Sequence, residues 1–263
     1  MDNALILSHL DAGVLTLTLN RPDRLNSFND EMHRQLSEAL TQAERDDSVR
    51  CLLIAGAGRG FCAGQDLNDR NVSADQQAPD LGLSVERFYN PLIRRLTALP
   101  KPVLCAVNGV AAGAGAALAL ACDIVIAADN ASFIQSFCRL GLVPDSGGSW
   151  FLPRLAGHAR AMGMAMLGDK ISAQQALAWG IIWQVVPADE LADRTQTLAR
   201  HLATQPTYGL GLIKKALYSS ATNSLDQQLD LERDLQRLGG RSDDYREGVS
   251  AFFAKRTPNF SGK

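Results

Sequence analysis

Net charge of one sign is the first thing this sequence lacks. Its 26 lysines and arginines nearly balance 28 aspartates and glutamates over 263 residues, for a formal charge of −2. The global basic footprint of proteins that neutralise nucleic-acid phosphate is therefore absent, and no nucleic-acid partner is expected. An acidic small molecule would have to be met by local positive charge. The five cysteines (Cys51, Cys62, Cys105, Cys122, Cys138) are odd in number, lie mostly in apolar runs and show neither C-x-x-C nor metal-ligand spacing. That argues against a disulfide framework and for reduced, buried thiols in a cytoplasmic protein. The four histidines are scattered, with no nucleophile pairing and no metal-like cluster, so no metal site is expected. The N-terminus, MDNALILSHLDAG, lacks the basic segment and long apolar stretch of a signal peptide. Long hydrophobic runs are missing too. The nearest approach to one, Val103 to Ala128, is interrupted by Asn108, Asp123 and glycines, and reads as strand, helix and strand rather than a membrane span. Heptads, low-complexity tracts and sequence-level repeats are not found.

What is present is a chain 46% hydrophobic but only 6% aromatic, long enough for one large core with an appendage. Ala4 to His9 and Val14 to Leu19 alternate as paired strands around the turn Asp11-Ala12-Gly13. After Arg21-Pro22, Ser27 or Asn29 can cap a helix with Met32, Leu36, Leu40 and Ala43 on one face. Cys51 to Ala55, Val103 to Val107, Ile124 to Ala127 and Ile181 to Val186 are short apolar strands separated by glycine loops and helical stretches. The layout is α/β. Asn71 to Ser84 is polar, with Pro79 and Gly82, and reads as a mobile surface loop. From about Ala188 the pattern turns to helices over Leu191 to Ala203, Gly209 to Ser220 and Leu225 to Leu238. Ser242 can cap a last helix carrying Tyr245, Val249 and Phe252. The expected division is a core over 1–195 and a helical region over 196–263 that packs on its own core or forms a subunit interface.

Two glycine-rich elements carry the chemistry: RGFCAGQDL at Arg59 to Leu67 and NGVAAGAGAALALACD at Asn108 to Asp123. Each follows an apolar strand and replaces side chains with exposed backbone, where a carbonyl oxygen can approach N–H groups closely. Gly113-Ala114-Gly115 also has the look of a dinucleotide fingerprint. However, Leu118 stands where a third glycine belongs, and no acidic ribose partner follows at the usual distance. Tight packing of a glycine- and alanine-rich helix explains the second element equally well on its own. If the amides of Gln65 and Ala114 converge, with Ala114 at a helix N-terminus, they form an oxyanion hole suited to a thioester enolate.

The combination resembles the crotonase (enoyl-CoA hydratase/isomerase) family over nearly the whole chain. The likeness is carried by LTLNRPDRLNSFN at Leu17 to Asn29, GRGFCAGQDL at Gly58 to Leu67, KPVLCAVNGVAAGAGAALALACDIVIA at Lys101 to Ala127, and LGLVPDSGGSWFLPRLAG at Leu140 to Gly157. It implies a spiral of ββα repeats with a C-terminal helical trimerisation region, assembled as a homotrimer or homohexamer. It also implies an acyl-CoA thioester substrate, with coenzyme A belonging to the substrate and no separate cofactor. The family's oxyanion amides fall at Gln65 and Ala114. Ala63, Asp66 and Leu67 beside them, together with Arg24 and a C-terminal Lys255 reaching from a neighbouring subunit, are the positions the likeness implies for holding the thioester. Arg24 and Lys255 read equally well as solvated surface charges, and Asp66 as a loop-fixing carboxylate.

The two glutamates with which family hydratases activate water align with Ala117 and Phe137, so water addition loses both of its acid/base groups. Asp145, in Leu142-Val143-Pro144-Asp145-Ser146-Gly147-Gly148, stands where family isomerases can carry a catalytic carboxylate, and a single base suits a 1,3-proton shift. Pro-Asp-Ser-Gly is also turn chemistry, and Asp145 or Ser146 can instead cap the helix starting near Gly148. The segments FCAGQDLNDRNV, SVERFYNPLIRRL, LATQPTYGLGLIKKA and YREGVSAFFAKRTPNFSGK narrow the resemblance further. They point to family isomerases of bacterial aromatic-acid breakdown, which turn a ring-epoxide thioester into a seven-membered oxepin thioester and shift the double bond of an open-chain didehydroadipyl thioester. Two alternatives remain: a general Δ3,Δ2-enoyl-CoA isomerase and a non-catalytic CoA-ester-binding subunit.

Overall fold

The computed structural model describes residues 4–70 and 80–263. The chain opens with the expected hairpin of β1 (Ile6–Asp11) and β2 (Val14–Leu19), paired antiparallel around Ala12 and Gly13, both at positive φ. Asn29, rather than Ser27, caps α1 (Asp30–Arg45). Its side chain accepts the Met32 amide at 2.9 Å, and Met32, Leu36, Leu40 and Ala43 are buried along one face.

From there the chain repeats a simple unit. β3 (Cys51–Gly56) and β4 (Gly60–Cys62) lead to α2 (Leu81–Ser84), a π-helical stretch at Val85–Tyr89, and α3 (Asn90–Ala98). β5 (Val103–Val107) and β6 (Val110–Ala112) lead to α4 (Ala114–Leu120), and β7 (Ile124–Ala128) and β8 (Ser132–Ile134) to α5 (Gly148–Ala156). The first strand of each pair joins one sheet and the second joins another. With α6 (His158–Leu167), β9 (Lys170–Ser172), α7 (Ala173–Ala178) and β10 (Gln184–Val186), the sheets are ordered β1-β2-β3-β5-β7-β10 and β4-β6-β8-β9. All pairings are parallel except β1 with β2 and β8 with β9. This is the two-sheet spiral of ββα repeats. Every residue of α4 is buried, its alanines and glycine letting it lie close against β4, β6 and α5.

The helical end consists of α8 (Leu191–Ala203), α9 (Thr207–Ser219), α10 (Leu225–Gly239) and α11 (Asp243–Ala254), the last capped by Ser242. The expected division after residue 195 falls inside α8. Its buried Leu191, Thr195, Ala199 and Ala203 pack toward β3 and β5, so this helix goes with the core. The strand expected over Ile181 to Val186 shortens to Gln184–Val186, because Ile181 closes a turn onto the Ala176 carbonyl. Of the expected loop, 71–79 lies outside the described residues. Leu81–Ser84 is helical instead, capped by Asp80, whose side chain accepts the Gly82 amide at 2.9 Å. Among the described residues no helix is long and apolar enough to cross a membrane.

Candidate active site

Parallel pairing of β4 with β6 sets Gly60 against Val110 and Cys62 against Ala111, so the two glycine-rich elements leave the sheet side by side. Their contact is tight. A Cβ on Gly115 would collide with the Cys62 carbonyl oxygen, and one on Gly64 would stand 2.9 Å from the Ala112 oxygen and 3.4 Å from the Ala114 nitrogen. Gly113 turns the chain into α4 at φ 52, ψ −124, a conformation that side-chain-bearing residues rarely adopt, and donates its amide to Ile134 at 2.9 Å. Ala114 is therefore the first helical residue, and its amide has no acceptor within the helix.

Gln65 is oriented by a short ladder. Phe28 donates to the Gly64 carbonyl at 2.7 Å and accepts from the Asp66 amide at 2.8 Å, forming a parallel bridge with Gln65. In such a bridge the flanking peptides face the partner strand, and the Gln65 N–H points to the opposite side. The Gln65 side chain is held as well. Its Nε2 donates to the Phe28 oxygen at 3.1 Å, and its Oε1 accepts from the Tyr89 hydroxyl at 2.8 Å.

Gln65 and Ala114 line one cavity of about 310 Å³, together with Ala63, Leu67, Phe137 and Asp145. Asp145 sits in the turn before α5. Its carbonyl accepts the Gly148 amide at 2.8 Å and its Oδ1 accepts the Ser146 hydroxyl at 2.9 Å. The α5 N-cap is Gly147, in the left-handed region, with no side-chain cap hydrogen bond. The N-cap position thus falls to Gly147 rather than to Asp145 or Ser146, and Asp145 is one of the residues lining the cavity. At the two hydratase-glutamate positions, Phe137 presents a ring to the cavity and Ala117 a methyl group buried beside Gly148.

Arg24, Asp66 and Lys255 stand outside the cavity lining. Asp66 is buried, with Arg21 Nη2 at 3.0 Å and the Asn68 amide and side-chain nitrogen at 3.1 and 3.0 Å. Burial pushes its carboxyl upward, but the hydrogen bonds from Asn68 and Arg21 and the guanidinium charge outweigh this and hold it below the usual carboxylate range. Its oxygens are committed to the loop. Arg24 is exposed at the end of a 3-10 turn over Pro22–Arg24, and the next carbonyl, Leu25, accepts the Ala63 amide at 2.9 Å, so Arg24 stands near the cavity's edge. Lys255 is exposed, ending α11 at φ 51. Tyr89 also lines the cavity; in the sequence it stands only within the segment SVERFYNPLIRRL, with no role attached. Burial pushes the Cys51 and Cys62 thiols up to about 12, which keeps them protonated and unreactive. Among the described residues no three His, Cys, Asp or Glu side chains converge as metal ligands.

Residues 9–263 match the family model described as Enoyl-CoA hydratase/isomerase. The chain is 72% identical over 258 residues to the 1,2-epoxyphenylacetyl-CoA isomerase of Escherichia coli K12, covering 98% of each. It is 36% identical to the trans-2-decenoyl-[acyl-carrier-protein] isomerase of Streptococcus mutans over the full length of both. Among solved structures, the enoyl-CoA hydratase of Bacillus anthracis superposes with a TM-score of 0.93 at 32% identity, covering 99% of this chain and all of that one.

Proposed function

Because the chain belongs to the enoyl-CoA hydratase/isomerase family, we propose that it is an acyl-CoA isomerase converting ring-1,2-epoxyphenylacetyl-CoA to 2-oxepin-2(3H)-ylideneacetyl-CoA. The observation that supports this reading is the cavity lined by Gln65, Ala114 and Asp145, with alanine and phenylalanine at the two positions implied for the hydratase glutamates. The thioester oxygen lies between the amides of Gln65 and Ala114. The Asp145 carboxylate removes a proton alpha to the carbonyl, the electron pair moves into the carbonyl as an enolate held by the two amides, and the same carboxyl returns the proton at the gamma carbon. No proton is gained or lost overall. Opening of the ring epoxide to the oxepin is a valence rearrangement that asks little of the protein. The same shift moves the double bond of 3,4-didehydroadipyl-CoA to the 2,3-position, and both substrates belong to aerobic phenylacetate breakdown in the cytoplasm.

Ala63 and Leu67 flank the thioester, while Arg24 and, from a neighbouring copy, Lys255 meet the coenzyme A phosphates. Assembly as a homotrimer or homohexamer follows from the helical end. Coenzyme A enters as part of the substrate. Turnover of matched epoxyphenylacetyl and straight-chain 3-enoyl thioesters tests the substrate assignment. A kcat/KM favouring the epoxide by tenfold or more is expected, about 1.4 kcal/mol at the transition state, whereas equal turnover would reassign the enzyme to general enoyl thioesters.

A further inference from the structure

We propose that Tyr89 is a positioning residue that sets the aim of the Gln65 oxyanion amide, an inference that rests on the role given to Gln65 above. Tyr89 closes the π-helical stretch Val85–Tyr89 between α2 and α3, the local widening that is frequent at functional sites. It is 2% exposed, yet it lines the cavity. Its hydroxyl donates to Gln65 Oε1 at 2.8 Å, and the other end of that amide donates to the Phe28 oxygen, the same carbonyl that accepts the Asp66 amide. The side chain of Gln65 is thereby tied to Phe28 at one end and Tyr89 at the other, and its peptide is held by the ladder to Phe28.

The phenol is itself held in place. The Tyr89 ring meets His33 edge-on at 4.5 Å and Phe28 edge-on at 5.9 Å, and His33 is stacked between Phe28 at 4.6 Å and Phe88 at 5.0 Å. Four rings fix one hydroxyl. Oxyanion stabilisation depends on donors held at the place where charge develops, so loosening this tie weakens the enolate more than the bound ground-state ester.

The test uses the whole enzyme with Tyr89→Phe, Gln65→Ala and the double variant. Tyr89→Phe keeps the ring cluster and Gln65→Ala keeps the backbone amide. Each single change is expected to lower kcat roughly tenfold with KM within about twofold, and the double to lose no more than the worse single, as for residues acting as one unit. The C=O stretch of bound carbonyl-13C phenylacetyl-CoA, displaced to lower frequency in the wild type, is expected to move back toward its free value in Tyr89→Phe. A loss in KM alone, fully multiplicative losses, or an undisplaced band would overturn the role of Tyr89. A wild-type band identical to that of free ester would instead overturn the oxyanion site itself.

Discussion

Asp66 and Asp145 each lie in a glycine-rich loop, and their surroundings differ. Asp66 is surrounded by Arg21 and Asn68 and spends its charge on fixing the segment that carries Gln65, whereas Asp145 lines the cavity and accepts the Ser146 hydroxyl on Oδ1. Gly115 acts through what it lacks. A methyl group there would meet the Cys62 carbonyl and stand 2.7 Å from the Cys62 Cβ, so Gly115→Ala is expected to cost about 1–3 kcal/mol in urea unfolding. Its loss of turnover in folded protein should be larger than that, because α4 is pushed off β4 and carries the Ala114 amide with it; unchanged stability would contradict the close approach. That Gln65 and Ala114 face one cavity was legible in the sequence because each lies in a contiguous glycine-rich motif, whereas Asp145 came from the family resemblance, its own Pro-Asp-Ser-Gly motif reading as a turn. Tyr89 was not legible, since its role depends on a hydroxyl meeting a side chain 24 positions away.

At the level of elements, strands of five or six apolar residues were readable, but β4, β6 and β8 have three residues each, too few to display a period of two. Their existence follows from pairing with one another rather than from local pattern, which is why the second strand of each repeat was implied by the family resemblance and not by periodicity. The C-terminal helices were readable as helices, although beyond α8 much of their apolar surface is left uncovered by this chain. Ile213 and Leu217 on α9, Leu225 and Leu229 on α10, and Phe252 and Phe253 on α11 are all more than half exposed. Exposed apolar residues of this kind support the proposed assembly. Light scattering of the purified protein at micromolar concentration is expected to give three or six times the 28.3 kDa chain mass. A monomer would contradict the assignment of these helices to assembly.

For the molecule as a whole, the spiral solves one geometric problem: it brings loops about fifty residues apart in sequence to one point by adding their strands to the same sheet. Related chains with this architecture carry both hydratase and isomerase names, so the fold leaves the reaction open and the cavity's carboxylate has to define it. In the proposed mechanism the apolar Ala117 and Phe137 offer no group to activate water, and Asp145 moves the proton. The most direct measurement is the single-turnover isomerisation rate of Asp145→Asn, alongside its affinity for the thioester. A fall of roughly 10²–10⁴-fold with affinity within about threefold is predicted for loss of the general base in an intact cavity, whereas isomerisation at near the wild-type rate would contradict the account.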